Sequence, residues 1–230
     1  MNRVLLVFGT RPEIIKLAPV YHAMKRRAPW ETLVCTTAQH RDMLDEMMTF
    51  FKVPGDYDLN VMTPGQDLFD VTTKVLLGMR GVLAAVKPDM LIVQGDTTTV
   101  MAASLAAFYL GIPTGHVEAG LRTGDMRNPF PEELNRYITD AVSALHFAPT
   151  ETARDALIRS GIGPEGIHVT GNTIIDALLF TLRKVNDEPF AALDLSAIEK
   201  VALLTTHRRE SFGEPLRNTL RAVRALAARY

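Results

Sequence analysis

Short apolar runs alternate along this chain with stretches of helical periodicity. Arg3-Val-Leu-Leu-Val-Phe8 is apolar after its first residue and is closed by Gly9, so it reads as a buried strand. Thr10-Arg-Pro-Glu13 then matches a capping box with Pro12 in the first turn. A helix to about residue 27 is predicted, kinked or broken near Pro19. The pattern continues with a strand over 33–37, a helix over 42–51 and a long helix over 67–86. The apolar periodicity of that long helix runs through Leu68, Val71, Val75, Leu76, Met79 and Leu83. Strands are predicted at 90–93, 114–118, 145–148 and 167–170, with helices at 97–109, 132–142 and 150–160 between them.

Strands that alternate with amphipathic helices imply βαβ units around a parallel sheet, and strands apolar at every position are buried on both faces. Residues 1–168 are therefore read as one Rossmann-like, doubly wound α/β domain. Residues 169–200 read as a connecting helix (173–184) and a loop. Residues 201–230 read as a single βα unit, a strand at 201–206 and a helix at 214–229. One strand and one helix cannot bury a core of their own, so this unit is expected to be the start of an incomplete second domain.

Composition narrows the function classes. Of 230 residues, 47% are apolar and 22% charged, and the net charge is −1. That is ordinary for a globular protein and leaves no basic footprint for nucleic acid or an anionic membrane. The single cysteine, Cys35, excludes a disulfide framework and fits a reducing cytoplasm. The nearly apolar stretch 100–112 is shorter than the ~17–25 residues of a membrane helix. Arg11, Glu13 and Lys16 follow the first apolar run at once, so no signal peptide is expected.

Candidate chemistry gathers where strands end. Gly161-Ile-Gly-Pro-Glu-Gly166 is formally G-x-G-x-x-G, but it follows a helix and precedes a strand, the reverse of a dinucleotide site. A helix stop explains it. Gly9-Thr-Arg-Pro12 joins the first strand to the first helix. There Gly9 allows close approach and Arg11 and Lys16 add positive charge for a phosphate, unless the segment is a plain tight turn. Asp96 ends a strand and either caps the next helix or meets a ligand. His116 and Glu118 share a sheet face by their spacing, with Glu118 at the carboxyl end. Glu132 and Glu133 open a helix, where the dipole favours acids. Asp96, Glu118 and Glu132 thus fall at one edge of one sheet, a grouping that suits acid–base work. His207-Arg208-Arg209 follows the strand predicted at 201–206 and suits a diphosphate, or is a solvated basic loop.

Seven motifs then occur in order: Phe8-Gly-Thr-Arg-Pro-Glu13, Thr37-Ala-Gln-His-Arg41, Gly95-Asp-Thr-Thr-Thr99, Gly115-His-Val-Glu-Ala-Gly-Leu-Arg-Thr-Gly124, Pro131-Glu-Glu133, Thr170-Gly-Asn-Thr173 and His207-Arg-Arg-Glu-Ser211. Together they closely resemble the bacterial non-hydrolysing UDP-N-acetylglucosamine 2-epimerases, over nearly the whole chain. The resemblance implies a GT-B-type architecture of two Rossmann-like domains. It also implies reversible epimerisation of UDP-GlcNAc to UDP-ManNAc at C2, without nicotinamide or metal cofactor, for bacterial surface polysaccharides. It implies Asp96, Glu118, Glu132 and His207 as catalytic residues, and Arg11, Lys16, His207 and Arg208, with the carboxylates Asp96 and Glu118, as binders of the UDP-sugar. Gln39, His40 and Gln66 match stretches that hold a second, regulatory UDP-GlcNAc in some members. A homodimer in the full-length form is implied too. Members of the family continue well past position 230, so the resemblance implies a carboxyl-truncated chain that is nearly inactive alone. A hydrolysing 2-epimerase, a GT-B glycosyltransferase and a fragment that binds nucleotide sugar without catalysis stay open as alternatives.

Overall fold

The computed structural model of the chain describes residues 2–27, 30–38, 41–184, 200–206 and 212–229. The chain divides into two units, Met1–Lys184 and Val185–Tyr230. In the first, β1 (Arg3–Phe8), β2 (Glu31–Thr36), β3 (Tyr57–Asp58), β4 (Met90–Gln94), β5 (Thr114–Val117), β6 (Leu145–Ala148) and β7 (Ile167–Val169) form one sheet. Its order is β3-β2-β1-β4-β5-β6-β7 and every pairing is parallel. This is the doubly wound Rossmann order, reversing direction between β1 and β4, with one strand added at the β6 edge. The expected α/β class holds.

The helices are α1 (Arg11–Arg26), α2 (Arg41–Phe51), α3 (Leu68–Val86), α4 (Thr98–Tyr109), α5 (Glu132–Val142), α6 (Glu151–Arg159) and α7 (Ile174–Leu182). β1 is buried on both faces because its side chains alternate between two cores. Val4, Leu6 and Phe8 pack with Ile14 and Leu17 of α1, while Leu5 and Val7 pack with Val75 and Met79 of α3 and Val100 of α4. α1 is not broken at Pro19. The ring forfeits one backbone hydrogen bond there, but Leu17, Ala18 and Tyr21 around it are buried, and that packing holds the helix together. α7, expected as a connector, packs against α1 through Ala177, and so lies within the first unit.

In the second unit the structure describes residues 200–206 and α8 (Glu214–Arg229). The strand expected at 201–206 is absent: these residues are exposed and carry no strand pairing. A strand is held by ladder hydrogen bonds to a neighbour, and the described residues of this unit offer none.

Gly9 is required by crowding. A Cβ built there would lie 2.0 Å from Thr37 Oγ1 and 3.0 Å from Thr99 Oγ1. The two hydroxyls are 3.1 Å apart and lock the ends of β1 and β2 against α4. Gly161, in the formal dinucleotide pattern, has φ +88° and sits just past α6, as a helix stop should. We expect Gly9→Ala to lower stability by about 1–3 kcal/mol through overpacking, measured by urea denaturation. In a Thr37→Ala background the loss should shrink; an unchanged loss would place the strain elsewhere.

Candidate active site

The loops that leave the carboxyl ends of the parallel strands build the site. The first follows β1. Glu13, in the opening turn of α1, is 1% exposed and turns back to accept the amides of Gly9 at 2.6 Å and Thr10 at 2.8 Å on Oε2. Its Oε1 accepts the hydroxyl of Thr97, the N-cap of α4. Burial pushes the Glu13 carboxyl up, and the donors offset it only in part. These contacts fit the plain tight turn that the sequence left open beside phosphate binding. The Gly9 and Thr10 amides that would face an anion are already given to Glu13, and the close approach at Gly9 is to Thr37. What this loop offers a ligand is the exposed side chain of Arg11.

Lys16, one turn into α1, aims its ammonium at Glu118, 2.7 Å from Oε1 and 2.5 Å from Oε2. Glu118 lies one residue past β5 and has φ +66°, in the left-handed region that disfavours a side chain with a Cβ. This departs from the expected strand geometry: the chain turns at Glu118, so Glu118 does not share a face with His116 by simple alternation. The turn is held by Phe147 of β6, whose carbonyl accepts the amides of both Glu118 and Ala119. Two further donors reach the carboxylate: Gln94 Nε2 at the end of β4, 2.6 Å from Oε2, and Asn172 Nδ2 after β7, 2.9 Å from Oε1. A non-glycine residue kept in a sparsely populated conformation by surrounding contacts is a mark of functional sites.

Asp96 follows β4. The helix cap that might have been its role falls to Thr97. Arg136 of α5 grips its Oδ2 instead, with Nε at 3.0 Å and Nη2 at 2.5 Å. The third guanidinium nitrogen holds Glu133 Oε2 at 2.7 Å. Glu133 is fully buried and also accepts the amides of Thr123 and Gly124. Burial opposes its charge, but the two amides and Arg136 outweigh it and hold its carboxyl below the usual range. Glu132, at the first position of α5, is half-buried, and its Oε2 has no hydrogen-bond partner among the described residues.

Beneath these groups lies a buried hydrogen-bonded triad. His116 Nδ1 is 2.6 Å from Asp140 Oδ1, its Nε2 is 2.7 Å from the carbonyl of Gly95, and Arg122 Nη2 is 2.7 Å from Asp140 Oδ2. Burial opposes the Asp140 charge, yet His116 and Arg122 together pull its carboxyl down. The two nitrogens of His116 thus face the Asp140 carboxylate and the Gly95 carbonyl. The role of His116 here is to join β5, the β4–α4 loop and α5.

Of the predicted site residues, Lys16 and Glu118 are in direct contact, and Asp96 and Glu132 sit where β4 ends and α5 begins. Among the described residues no hydrogen bond joins Asp96, Glu118 and Glu132 to one another. Gln66 lies in the β3–α3 loop, its Oε1 accepting the amide of Thr63 at 3.0 Å. Gln39, His40, His207 and Arg208 lie outside the described residues. Sequence reasoning missed Gln94, Arg136 and the role of Asn172. Asn172 stands inside the Thr170-Gly-Asn-Thr173 motif, the one signal that could have found it. Among the described residues no group of three or more His, Cys, Asp or Glu is placed to hold a metal ion. No helix among them is long and apolar enough to cross a membrane.

Two outcomes follow from the backbone and the buried charge. Glu118→Gly and Glu118→Ala both lose the carboxylate, but only glycine is at ease at φ +66°. The glycine variant should be more stable by about 1 kcal/mol in chemical denaturation; equal stabilities would mean that no strain resides there. For Glu13, the folded carboxyl titrates above its ordinary 4.5. As pH rises above 4.5 the unfolded chain releases this proton while the fold retains it, so wild-type stability falls relative to Glu13→Gln. Unfolding free energies of the two proteins between pH 4 and 7 should diverge in favour of the variant; a constant difference would refute the assignment.

With this geometry in place, the comparison with known proteins is direct. A family profile described as UDP-N-acetylglucosamine 2-epimerase matches residues 22–230. The UDP-N-acetylglucosamine 2-epimerase of Salmonella typhimurium is 51% identical over 233 residues, spanning 98% of this chain and 62% of the relative. The structure of UDP-GlcNAc 2-epimerase from Neisseria meningitidis bound to UDP-GlcNAc superposes with a TM-score of 0.76 at 50% identity, covering 79% of this chain and 50% of that one. The S. aureus MnaA–UDP co-structure gives a TM-score of 0.90 at 44% identity, covering 100% of this chain and 60% of that one. The chain thus spans less than two thirds of the length of the relatives it matches, and it belongs to the UDP-N-acetylglucosamine 2-epimerase family.

Proposed function

We propose that the protein interconverts UDP-GlcNAc and UDP-ManNAc by eliminating UDP and adding it back. A carboxylate takes the proton from C2 of the sugar, and the C1–O bond breaks with its electron pair leaving on UDP. A 2-acetamidoglucal with a C1=C2 double bond remains. UDP then returns to C1 while a carboxyl group on the other face of the ring delivers a proton to C2. No net oxidation occurs. The observation that carries this reading is Glu118, which stands at a left-handed backbone position with its carboxylate held by Lys16 of α1, Gln94 at the end of β4 and Asn172 after β7. So much positioning of one partly exposed carboxylate, with Asp96 and Glu132 at the same sheet edge, suits proton transfer at carbon.

In this reading Asp96, Glu118 and Glu132 handle the protons. The charge that develops on the departing diphosphate is met by Arg11 and, by the family resemblance, by His207 and Arg208. Lys16, aimed at Glu118, holds that carboxylate in place. We place the reaction in the cytoplasm, whose reducing medium suits the buried thiol of Cys35. We also assign a homodimer to the full-length form, as the family resemblance implies.

The test is an NMR time course of UDP-GlcNAc in D2O with two samples: the 230-residue chain, and the chain completed with the part of the Salmonella typhimurium relative that it does not cover. UDP-ManNAc carrying deuterium at C2 is expected, with the shorter sample the slower. Glu118→Gln should abolish turnover and keep UDP binding. Free ManNAc would point to a hydrolysing enzyme, and no new sugar in either sample would overturn the reading. Light scattering should give twice the chain mass; a monomer would remove the dimer.

A further inference from the structure

We propose that Arg136 is a positioning residue for this reaction: it holds Asp96 by one carboxylate oxygen and leaves the other free for the substrate. The proposal rests on the epimerase reading above. Three observations carry it. First, two guanidinium nitrogens converge on the same atom, Oδ2, while no described residue aims a donor at Oδ1. The Asp96 carboxylate is 29% exposed and the Arg136 side chain 14%, so one oxygen is pinned on the protein side while the group as a whole still reaches solvent.

Second, Arg136 is itself immobilised. Its remaining nitrogen is on Glu133, which is fully buried and held by the amides of Thr123 and Gly124. A guanidinium is a rigid planar fork, so fixing one nitrogen fixes the direction of the other two. Third, the backbone beside Asp96 is tied on both sides. Asn135 Nδ2 donates to the carbonyl of Asp96 at 2.9 Å, and the hydroxyl of Thr97 donates to Glu13. Asp96 and the residue after it are thereby set by α5 and the first turn of α1.

A bland role is also available to Arg136, that of neutralising the buried Glu133. The two roles separate on Asp96. An aspartate at a loop end samples several rotamers unless something grips it. If Arg136 only served Glu133, its loss would lower stability and leave the behaviour of Asp96 unchanged. If it positions Asp96, its loss frees the carboxylate to rotate, and misplacement by about 1 Å costs on the order of 100-fold in rate. Lysine at this site keeps a charge for Glu133 but cannot serve both carboxylates in two directions.

The experiment uses Arg136→Lys, which keeps the charge, and Arg136→Gln, which removes it. In the isotopically labelled 230-residue chain, three-bond couplings should report one χ1 rotamer for Asp96 in the wild type and averaging in both variants. Unchanged β1 and β4 amide resonances show that the fold is intact. In whichever sample turns over UDP-GlcNAc, each variant should lower kcat about 100-fold with KM little changed. Combining Arg136→Lys with Asp96→Asn should cost no more than Asp96→Asn alone. A single Asp96 rotamer in both variants, or additive losses in the double variant, would overturn the proposal. If no sample turns over, the functional reading falls, and the couplings still decide whether Arg136 positions Asp96.

Discussion

A carboxylate without access to water has to find its donors inside the fold, and the carboxyl edge of this sheet carries three. Glu13, Glu133 and Asp140 are each at most 1% exposed. Each joins parts of the chain that the sheet alone would leave independent. Glu13 ties the β1–α1 loop to the start of α4, Glu133 ties the first turn of α5 to the 123–124 backbone, and Asp140 ties α5 to His116 and Arg122. Glu133 and Asp140 are paired with Arg136 and Arg122, and removing the cation of such a buried pair costs about 3–5 kcal/mol, because the charge left behind has nowhere to be solvated. The loops around the site therefore cannot drift one at a time. Their rigidity comes from carboxyl groups bonded in a dry place, not from apolar packing.

The partly exposed carboxylates sit on this frame. Asp96 and Glu118 each have a cation of their own, Arg136 and Lys16, and each cation comes from a helix that also takes part in the buried network. Acidic groups can then stand at one sheet edge without repulsion between them deciding the geometry. The helix that supplies Arg136 also presents Glu132 at its first position, so one rigid element carries both a candidate carboxylate and the group that orients another. The cis peptide bonds at Asn128–Pro129 and Phe130–Pro131 lie in the loop that leads into it.

Much of this architecture was legible in the residues. The apolar runs located six of the seven strands within a residue or two, and the helices at 132–142 and 214–229 fell where periodicity put them. The two-residue strand β3 was too short to leave a pattern. The strand expected at 201–206 has apolar residues but no described neighbour to pair with, and pairing is what makes a strand. Glu118, Asp96 and Lys16 were visible because each stands beside a strand end or in the first turns of a helix. Their partners were not. Gln94 on Glu118, Arg136 on Asp96 and Asn172 on Glu118 are contacts across 24, 40 and 54 residues, and nothing local in a sequence announces such a meeting. The loop after β1 was left open between a phosphate site and a plain turn for the same reason: whether an amide faces a ligand or an internal carboxylate depends on where a side chain turns, not on glycine being present.

The grip on Glu118 bears on how the protein is made. Its partners include Lys16, 102 residues earlier, and Asn172, 54 residues later, and its backbone is pinned by Phe147. A chain leaving the ribosome has β5 in hand well before β6 and β7 exist to accept and donate these bonds. Until then the turn at Glu118 has no reason to adopt its left-handed form, and Lys16 meets a carboxylate free to swing. Contacts this distant in sequence are also among the slowest to form, since loop closure must precede them. The site thus assembles last. An arrested or prematurely ended chain would carry a Rossmann core with this carboxylate unset until synthesis had passed β7.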